Sequence, residues 1–590
     1  MQKRLGRRRA MVATGALGAG AAFLAACGGG SDSGGKEPLK AAGLLAPIDD
    51  ESKNAIRGGT YKFINGTAPL GFDPHTGEAA SGTVVEPCYS LLWRLKEGYK
   101  DIPNGEIEGD LVESWEVSPD RLTVTAKLTS NAHFTPQAPT NGRAVDARDV
   151  VFSWDRVRTG SNARGDLSNA VNPAAPIVSM TATDDRSVVI KTAEPNASLL
   201  AFLSNNFQGY MIVAPKEGAD TNVLNLATTV RGSGPWYLSE LRPSVGYTFK
   251  RNPGFKQDKR DLPYMETIEV PVVPEYAAQL AQFRTGATYS VNARQEDVLP
   301  LKNDVPELDL RLSGWLTTLP RPLFGVQATS PFKDERVRQA FVYTWDRDLF
   351  IDAFFNAAAS KQAGVDVETL WEVGLQANTW RGWVIDPKGK DFGPNAKYLK
   401  KDLAEAKKLM AAAGHNSAVE IDNNTPTGLG AQATFDRGVE IMVGFVEESG
   451  LFKTTRKLSP FAPTFINNYN NAKGNFNGVA FTQSSLVQDP TNYLRSYYHP
   501  TGSRRQGTDD TFAELLDKAK VEFDEKKRQA ILWDVQRREA EKSFFPRIAG
   551  ATGLQVTWPA LRNVGVFQGG TARWNAALFV DPNKAPNKKS

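Results

Sequence analysis

Within 53 residues, from Gly105 to Val157, this chain switches from the period of a strand to the period of a helix. Leu122 to Leu128 alternates Leu, Val, Ala and Leu with Thr, Thr and Lys, which predicts a half-buried strand. Asp146 then stands as a cap before Val150, Val151, Trp154 and Val157, which share one helical stripe and predict an apolar face packed on the interior. Further strands are expected at Val188 to Ile190 and Tyr247 to Arg251. Asp402 with Glu405 predicts a capped helix whose inner face carries Leu403, Ala406, Met410 and Ala413 and which stops at Gly414. Two more helices are expected at Thr511 to Val521 and Glu525 to Glu541. Strands and helices mixed without regular alternation imply α+β, or mixed α/β, lobes and not a barrel.

The first 26 residues carry Lys3, Arg4, Arg7, Arg8 and Arg9 with no acid, followed by a small-residue apolar run from Ala10 to Ala26. That composition reads as a signal peptide and is too short and too rich in small residues for a membrane span. It ends in Leu24-Ala25-Ala26-Cys27, which resembles a lipobox, and the tract Gly28 to Gly35 has the composition of a flexible tether. Acylation at Cys27 would hold the protein outside the cytoplasmic membrane. The pair Arg8-Arg9 also resembles a twin-arginine export signal, so either export route stays open.

Without the five basic leader residues, the excess of 70 Lys and Arg over 66 Asp and Glu disappears. A near-neutral body gives no reason to expect a nucleic-acid partner. With Cys27 acylated, Cys88 is alone and is expected as a small buried residue with no disulfide. About 560 remaining residues suffice for two or three cores.

An ordered series of short elements runs along nearly all of that length: GEIEGDLVESWEVSPDRLTVTAKLTSNAHFTP to Val157, then Gly232-Ser233-Gly234-Pro235-Trp236-Tyr237, Arg251-Asn252-Pro253-Gly254-Phe255, Pro331 to Ala340, Asp346-Arg347-Asp348, and Asp489-Pro490-Thr491-Asn492-Tyr493-Leu494. Gly58 to Tyr61 and Phe72-Asp73-Pro74-His75 precede it. The series resembles the family 5 extracellular solute-binding proteins, the capture subunits of ABC importers. The resemblance implies a two-lobed periplasmic-binding-protein-like fold with an extra inserted domain and a hinge made by two crossovers. Mapped here, 1–26 is the leader and 27–57 the tether. Lobe I takes 58–80, 206–314 and 553–590, domain II takes 81–205, and distal lobe III takes 315–552. Most of the motif residues have structural readings: Gly and Pro set turns, and Arg336, Arg338, Asp346 and Arg347 are expected to form ion pairs at a lobe boundary.

In peptide-binding relatives an extended ligand is held between the lobes as an added strand. The resemblance puts Glu78, Ala79 and Ala80 at one such edge, with a solvated loop acid as the alternative for Glu78. Those relatives also carry a tryptophan and then an aspartate before the Asp-Pro element, and the aspartate pairs with the ligand's ammonium. Here Gln483 replaces the tryptophan and Leu486 the aspartate, so the ammonium anchor is missing unless Glu78 or Asp489 takes its place. Gln483, Ser484, Ser485 and Gln488 offer neutral donors and acceptors. Trp371, Trp380 and Trp383, crowded into thirteen residues, either stack on a flat or sugar-like ligand or cap the distal core.

The expected function is capture of a peptide or similar polar solute and its delivery to a membrane permease driven by a cytoplasmic ATPase. An oligosaccharide-binding member of the same family is the alternative. The other classes are an extracellular hydrolase and a sensory lipoprotein. Against catalysis, the four histidines His75, His133, His415 and His499 lack metal-ligand spacing, and no nucleophile motif is present. No cofactor or metal is expected, and a monomer is.

Overall fold

Among the described residues four sheets have three or more strands, and one of them joins the others' territories. The computed structural model describes residues 44–69, 71–76, 82–96, 106–161, 163–204, 210–315, 319–429, 432–483, 489–565 and 576–588. Cys27 lies outside them. The first sheet runs Thr60–Lys62, Thr267–Pro271, Gly246–Arg251, Trp236–Arg242, parallel at its first pair and antiparallel after it. The second is antiparallel, in the order Val112–Val117, Thr123–Leu128, Ser187–Thr192, Ile177–Ala182. The third is mixed: Pro320–Phe324, Val479–Gln483, Val419–Thr427, Phe452–Pro460.

The joining sheet has three strands. Its central strand, Ala549–Thr557, pairs through Ala549 to Ala551 with Thr369–Trp371 and through Thr552 to Thr557 with Asp309–Trp315. Ser290 bridges both Thr557 and Phe63, which carries the connection to the first sheet. Two antiparallel strands thus form the covalent crossing between the sheet that begins at Thr60 and the one that begins at Pro320.

The local readings from periodicity match the elements seen. Val124, Ala126 and Leu128 are buried on one face of Thr123–Leu128, as period two requires. Helix Ala147–Gly160 starts at Asp146, whose side chain accepts from the amides of Arg148 and Asp149, while the Asp149 carboxylate accepts from the Asp146 amide at 2.9 Å. That reciprocal box satisfies donors that a helix start leaves open. Val150, Trp154 and Val157 are buried beneath it and Val151 only partly so. Asp402 caps Leu403–Ala412 by accepting from the Glu405 amide at 2.9 Å, and Gly414 follows with φ +88°, a conformation that suits glycine. The last two predicted helices appear as Asp510–Val521 and Glu525–Lys542.

Phe324, Phe332, Phe341 and Phe452 form a mutually stacked and edge-on set under helix Glu335–Tyr343. All four are at most 2% exposed. Truncating such a ring costs about 3–5 kcal/mol, so this set is a principal anchor of its region. Gly234 explains the Gly-Ser-Gly-Pro-Trp element: a Cβ there would lie 2.6 Å from the Cys88 carbonyl carbon and 2.7 Å from the Pro87 oxygen. The main chain of 232–235 passes flat against the end of helix Gly82–Cys88, and the Gly234 amide donates to the Cys88 carbonyl at 2.9 Å. Cys88 itself is fully buried.

The ion-pair expectation for the later motif needs correction. Arg336 does pair with Asp334, at 2.6 Å, and Asp346 pairs with Lys401 at 3.6 Å while capping helix Arg347–Phe355 through the Leu349 amide. Arg338 and Arg347, however, are buried and donate to backbone carbonyls, those of Phe332 and Lys333 and those of Leu399 and Arg547 respectively. A guanidinium with five donors can bind turns and helix ends together from inside, where a second charge would cost desolvation.

Candidate functional site

Arg321 is the residue around which the site is built. It sits in strand Pro320–Phe324, where alternation sends Phe324 into the phenylalanine set and Arg321 to the opposite face. Across that face lies helix Pro490–Tyr498, started by Asp489, whose side chain accepts from the Asn492 amide at 2.7 Å, with Pro490 at its first position. Tyr493 and Tyr497 are four apart and therefore project to the same side. Arg321 is stacked at 3.9 Å over Phe545, with Tyr497 at 4.9 Å and Tyr493 at 5.3 Å. Its Nη2 donates to the Tyr497 hydroxyl at 3.0 Å.

A second guanidinium closes the cluster. Arg547 donates to the Tyr493 hydroxyl at 2.9 Å and to Gln376 Oε1 at 3.1 Å, and it stands 3.5 Å from Glu372 Oε2. The other Glu372 oxygen accepts from the Ala377 amide at 2.7 Å. Burial lowers the pKa of Arg321 to about 9 and lowers that of Arg547, and it raises that of Glu372. Arg321 stays cationic at neutral pH. Burial works to raise the Tyr497 hydroxyl's pKa, but Arg321, Arg504 and Arg547 together bring it below the ordinary phenol value.

On the far side of Tyr497, Arg504 faces Tyr210 and Asp166, which belong to the part of the chain carrying the second sheet. Between them is a small polar cavity of about 50 Å³ lined by Asp166, Phe202, Tyr210, Arg495, Ser496 and Arg504 among others. Lys520, on helix Asp510–Val521, forms an ion pair with Glu194 and donates to the Ala174 carbonyl at 3.3 Å across the same boundary. Arg528 donates to the Ala197 carbonyl at 3.4 Å and lies 5.1 Å from the centre of the Trp383 ring.

The residues singled out from sequence fall in several places. Trp380 is 3% exposed and packs on Tyr493, with ring centroids 4.5 Å apart, so it abuts the arginine cluster. Trp383 joins the same apolar cluster, with Arg528 over its ring. Trp371 goes elsewhere: its indole donates to Asp348 at 2.8 Å, Lys388 covers its ring at 4.6 Å, and it packs against two other cores. Gln483 ends strand Val479–Gln483, half-buried and paired with Pro320. Asp489 is buried and occupied as a helix cap, and burial raises its pKa. Glu78, Ala79, Ala80, Ser484, Ser485, Leu486 and Gln488 lie outside the described residues.

Sequence reasoning missed Arg321, Glu372, Tyr497 and Arg547. Two signals were available: an arginine inside the apolar stretch Leu319-Pro320-Arg321-Pro322-Leu323-Phe324, and tyrosines at 493 and 497 on one helical face. Among the described residues, no group of three His, Cys, Asp or Glu could hold a metal ion, and no helix is long and apolar enough to cross a membrane.

Two sheet-bearing bodies joined by a pair of crossing strands define the class of two-lobed periplasmic binding proteins. Residues 106–505 match the model of the bacterial extracellular solute-binding proteins, family 5 Middle, and the chain belongs to that family. Such proteins work outside the cytoplasm. Heme-binding protein A of Haemophilus influenzae is 24% identical over 414 residues, which cover 65% of this chain and 69% of that protein. The periplasmic binding protein DppA from Helicobacter pylori, solved with the peptide STSA, superposes with a TM-score of 0.69 at 19% identity, covering 90% of this chain and 99% of that one. The binding protein AgaA of A. tumefacien R10, solved with agropinic acid, gives a TM-score of 0.69 at 19% identity over 89% of this chain and 99% of that one. At these identities the superpositions speak to the fold.

Proposed function

We propose that this protein is the capture subunit of an ABC importer: it closes two lobes on a peptide or similar polar solute and presents that solute, unchanged, to a membrane permease powered by an ATPase. The observation that carries the reading is the family match over 106–505. The two-strand crossing of Asp309–Trp315 and Ala549–Thr557 supports it, because a crossing of that kind lets two rigid bodies rotate with few changes of backbone angle. We assign the lobes as 58–80, 206–314 and 553–590 for the first, 81–205 for the inserted domain and 315–552 for the distal lobe.

The solute site in this reading combines Glu78, Ala79 and Ala80 with Gln483, Ser484, Ser485, Leu486 and Asp489 and with the indoles of Trp380 and Trp383. Trp371 is the weakest member, since its indole is already committed to Asp348. Acylated Cys27 tethers the monomer to the membrane. The ligands named for similar structures, a peptide and agropinic acid, suit a cleft of mixed polar and aromatic character. The experiment is solute uptake in a strain lacking this chain, beside binding by the purified protein. Loss of uptake of the solute that binds is the expected result. Binding accompanied by turnover of the solute would point to the hydrolase class.

A further inference from the structure

In an antiparallel ladder, successive residues turn their amide and carbonyl first toward one neighbour and then toward the other. In the crossing strand Ala549–Thr557, Thr552 lies opposite Trp315 and Leu554 opposite Leu312, so Gly553 alone faces two residues, Ser313 and Gly314. Such a two-against-one bulge breaks the ladder locally. On either side of Gly553 the strand's outer edge is held, and by different parts of the chain. The Thr552 amide donates to the Glu368 carbonyl at 2.9 Å, and its hydroxyl accepts from the Glu368 amide at 2.8 Å. Glu368 directly precedes strand Thr369–Trp371, which covers Ala549 to Ala551. At Leu554 a side chain takes the place of a strand: Gln295 Oε1 accepts from the Leu554 amide at 2.8 Å, and Gln295 Nε2 donates to the Leu554 carbonyl at 3.1 Å. Gln295 opens helix Gln295–Asp304, which belongs to the first lobe as assigned above. The partner strand is braced on that same lobe's side, where Leu45 bridges Leu310 and the Ala46 amide donates to the Leu310 carbonyl at 2.7 Å.

We infer that rotation of the lobes is confined to Gly553 and Ser313-Gly314, and that Gln295 is the positioning residue that confines it, by locking Leu554 to the first lobe. This rests on the transport reading above, which needs a pivot between the lobes, and it says where that pivot lies. A hinge is a few residues that absorb the whole change of backbone angle while their neighbours keep theirs. Thr552 and Leu554 keep theirs because Glu368 and Gln295 hold their main chains from opposite lobes. Leu312 and Trp315 are paired with those same two residues, so the turn has to be taken up between them. Glycine has the widest backbone range, and it stands at the centre of both strands. A continuous strand along that outer edge would brace Gly553 as well. A glutamine side chain ends at Leu554, and its hold stops one residue short of the pivot.

The test uses full-length protein in detergent with spin labels on Glu240→Cys and Lys453→Cys, exposed positions on the first and the distal lobe. Cys88 is buried, and Cys27 is blocked by its acyl group in the reading above. Distances between the labels are measured by pulsed electron spin resonance, without solute, in this background and with Gly314→Ala or Gln295→Ala added. Gly314 and Gln295 are both half-buried, so each variant is expected to melt within about three degrees of its parent. A methyl group at the pivot removes backbone range, and Gly314→Ala is expected to narrow the distance distribution by about a third or more. Loss of the clamp lets the bend spread toward Leu554, and Gln295→Ala is expected to widen it by about a third or more. An unchanged width in Gly314→Ala overturns the pivot. An unchanged or narrower width in Gln295→Ala overturns the clamp and leaves Gln295 a structural residue. If either variant fails to fold, the other still decides the half of the proposal that it tests. None of these outcomes touches the transport reading, which stands or falls on uptake in the strain lacking this chain.

Discussion

The Ala197 amide donates to the Lys520 carbonyl at 3.0 Å, joining residues more than three hundred positions apart in the chain. The Lys520 ammonium, on a side chain 4% exposed, returns across the same boundary to Glu194 and to the Ala174 carbonyl. This latch ties the end of the second sheet's region to helix Asp510–Val521. Glu194 is about half exposed, so it can be rehydrated when its partner is lost. Lys520→Met is therefore expected to cost only about 1–2 kcal/mol. In the transport reading much of that loss falls on the closed form alone, and solute affinity drops about fivefold to thirtyfold. Small-angle scattering should show a larger radius for the variant without solute.

His75 makes stability depend on pH. It is 1% exposed; its Nε2 lies 2.7 Å from the Ile212 carbonyl oxygen and its Nδ1 accepts from Arg156 Nε at 3.1 Å. Burial pushes its pKa down to about 4 from 6.5. Between those values the unfolded chain holds the extra proton, so stability is complete above about pH 6.5 and falls as pH drops toward 4, by on the order of 3 kcal/mol. Glu539, pushed up to about 8 by burial, acts in the opposite sense: its contribution is complete below about pH 4.5 and is lost as pH rises through 8. Urea unfolding of wild type and His75→Gln at pH 7 and pH 4.5 separates them. The difference between the two proteins should shrink by about 2–3 kcal/mol on acidification.

Trp380 and Trp371 should respond differently to truncation. Trp380→Ala removes a buried ring from beside Tyr493 and is expected to cost about 3–5 kcal/mol. Trp380→Phe keeps an aromatic surface there and should cost less than half as much, so its binding can be measured on folded protein. Trp371→Ala loses a partly exposed ring held by Asp348 and Lys388, with a cost of about 1–2 kcal/mol and a smaller loss of solute affinity than Trp380→Phe, as the weakest member of the proposed site. Equal loss of affinity in both would make the Trp371 indole as much a part of the solute site as that of Trp380.

Gly234→Ala tests the close approach of two main chains. The new methyl would meet backbone atoms of Pro87 and Cys88 at under 3 Å, and backbone cannot turn aside as a side chain can. A loss of more than about 3 kcal/mol, or failure to fold, is expected. Circular dichroism melting of the variant checks it.

Much of this was legible in the chain. Period two at Leu122 to Leu128 and the caps at Asp146 and Asp402 are local signals, and local signals survive into the fold. The ordered motifs gave the family because turns such as Gly232 to Pro235 admit few residues. The arginine cluster was not legible for the opposite reason. Arg321, Glu372, Tyr493 and Arg547 are brought together by strand pairing and helix packing across more than two hundred residues, and no spacing announces it. Arg338 and Arg347 show a second limit: a charged motif residue reads as half of an ion pair, while burial here selects carbonyl partners.

The most direct test of the account is thermal unfolding of the full-length protein against short peptides, agropinic acid and neutral oligosaccharides, with recovery and mass analysis of whatever binds. A solute at a hundred times its dissociation constant should add about 2.7 kcal/mol of stability. The account predicts such a shift with a peptide or with agropinic acid, which is then recovered intact. A shift produced by neutral oligosaccharides alone, or a bound compound recovered in altered form, would contradict it.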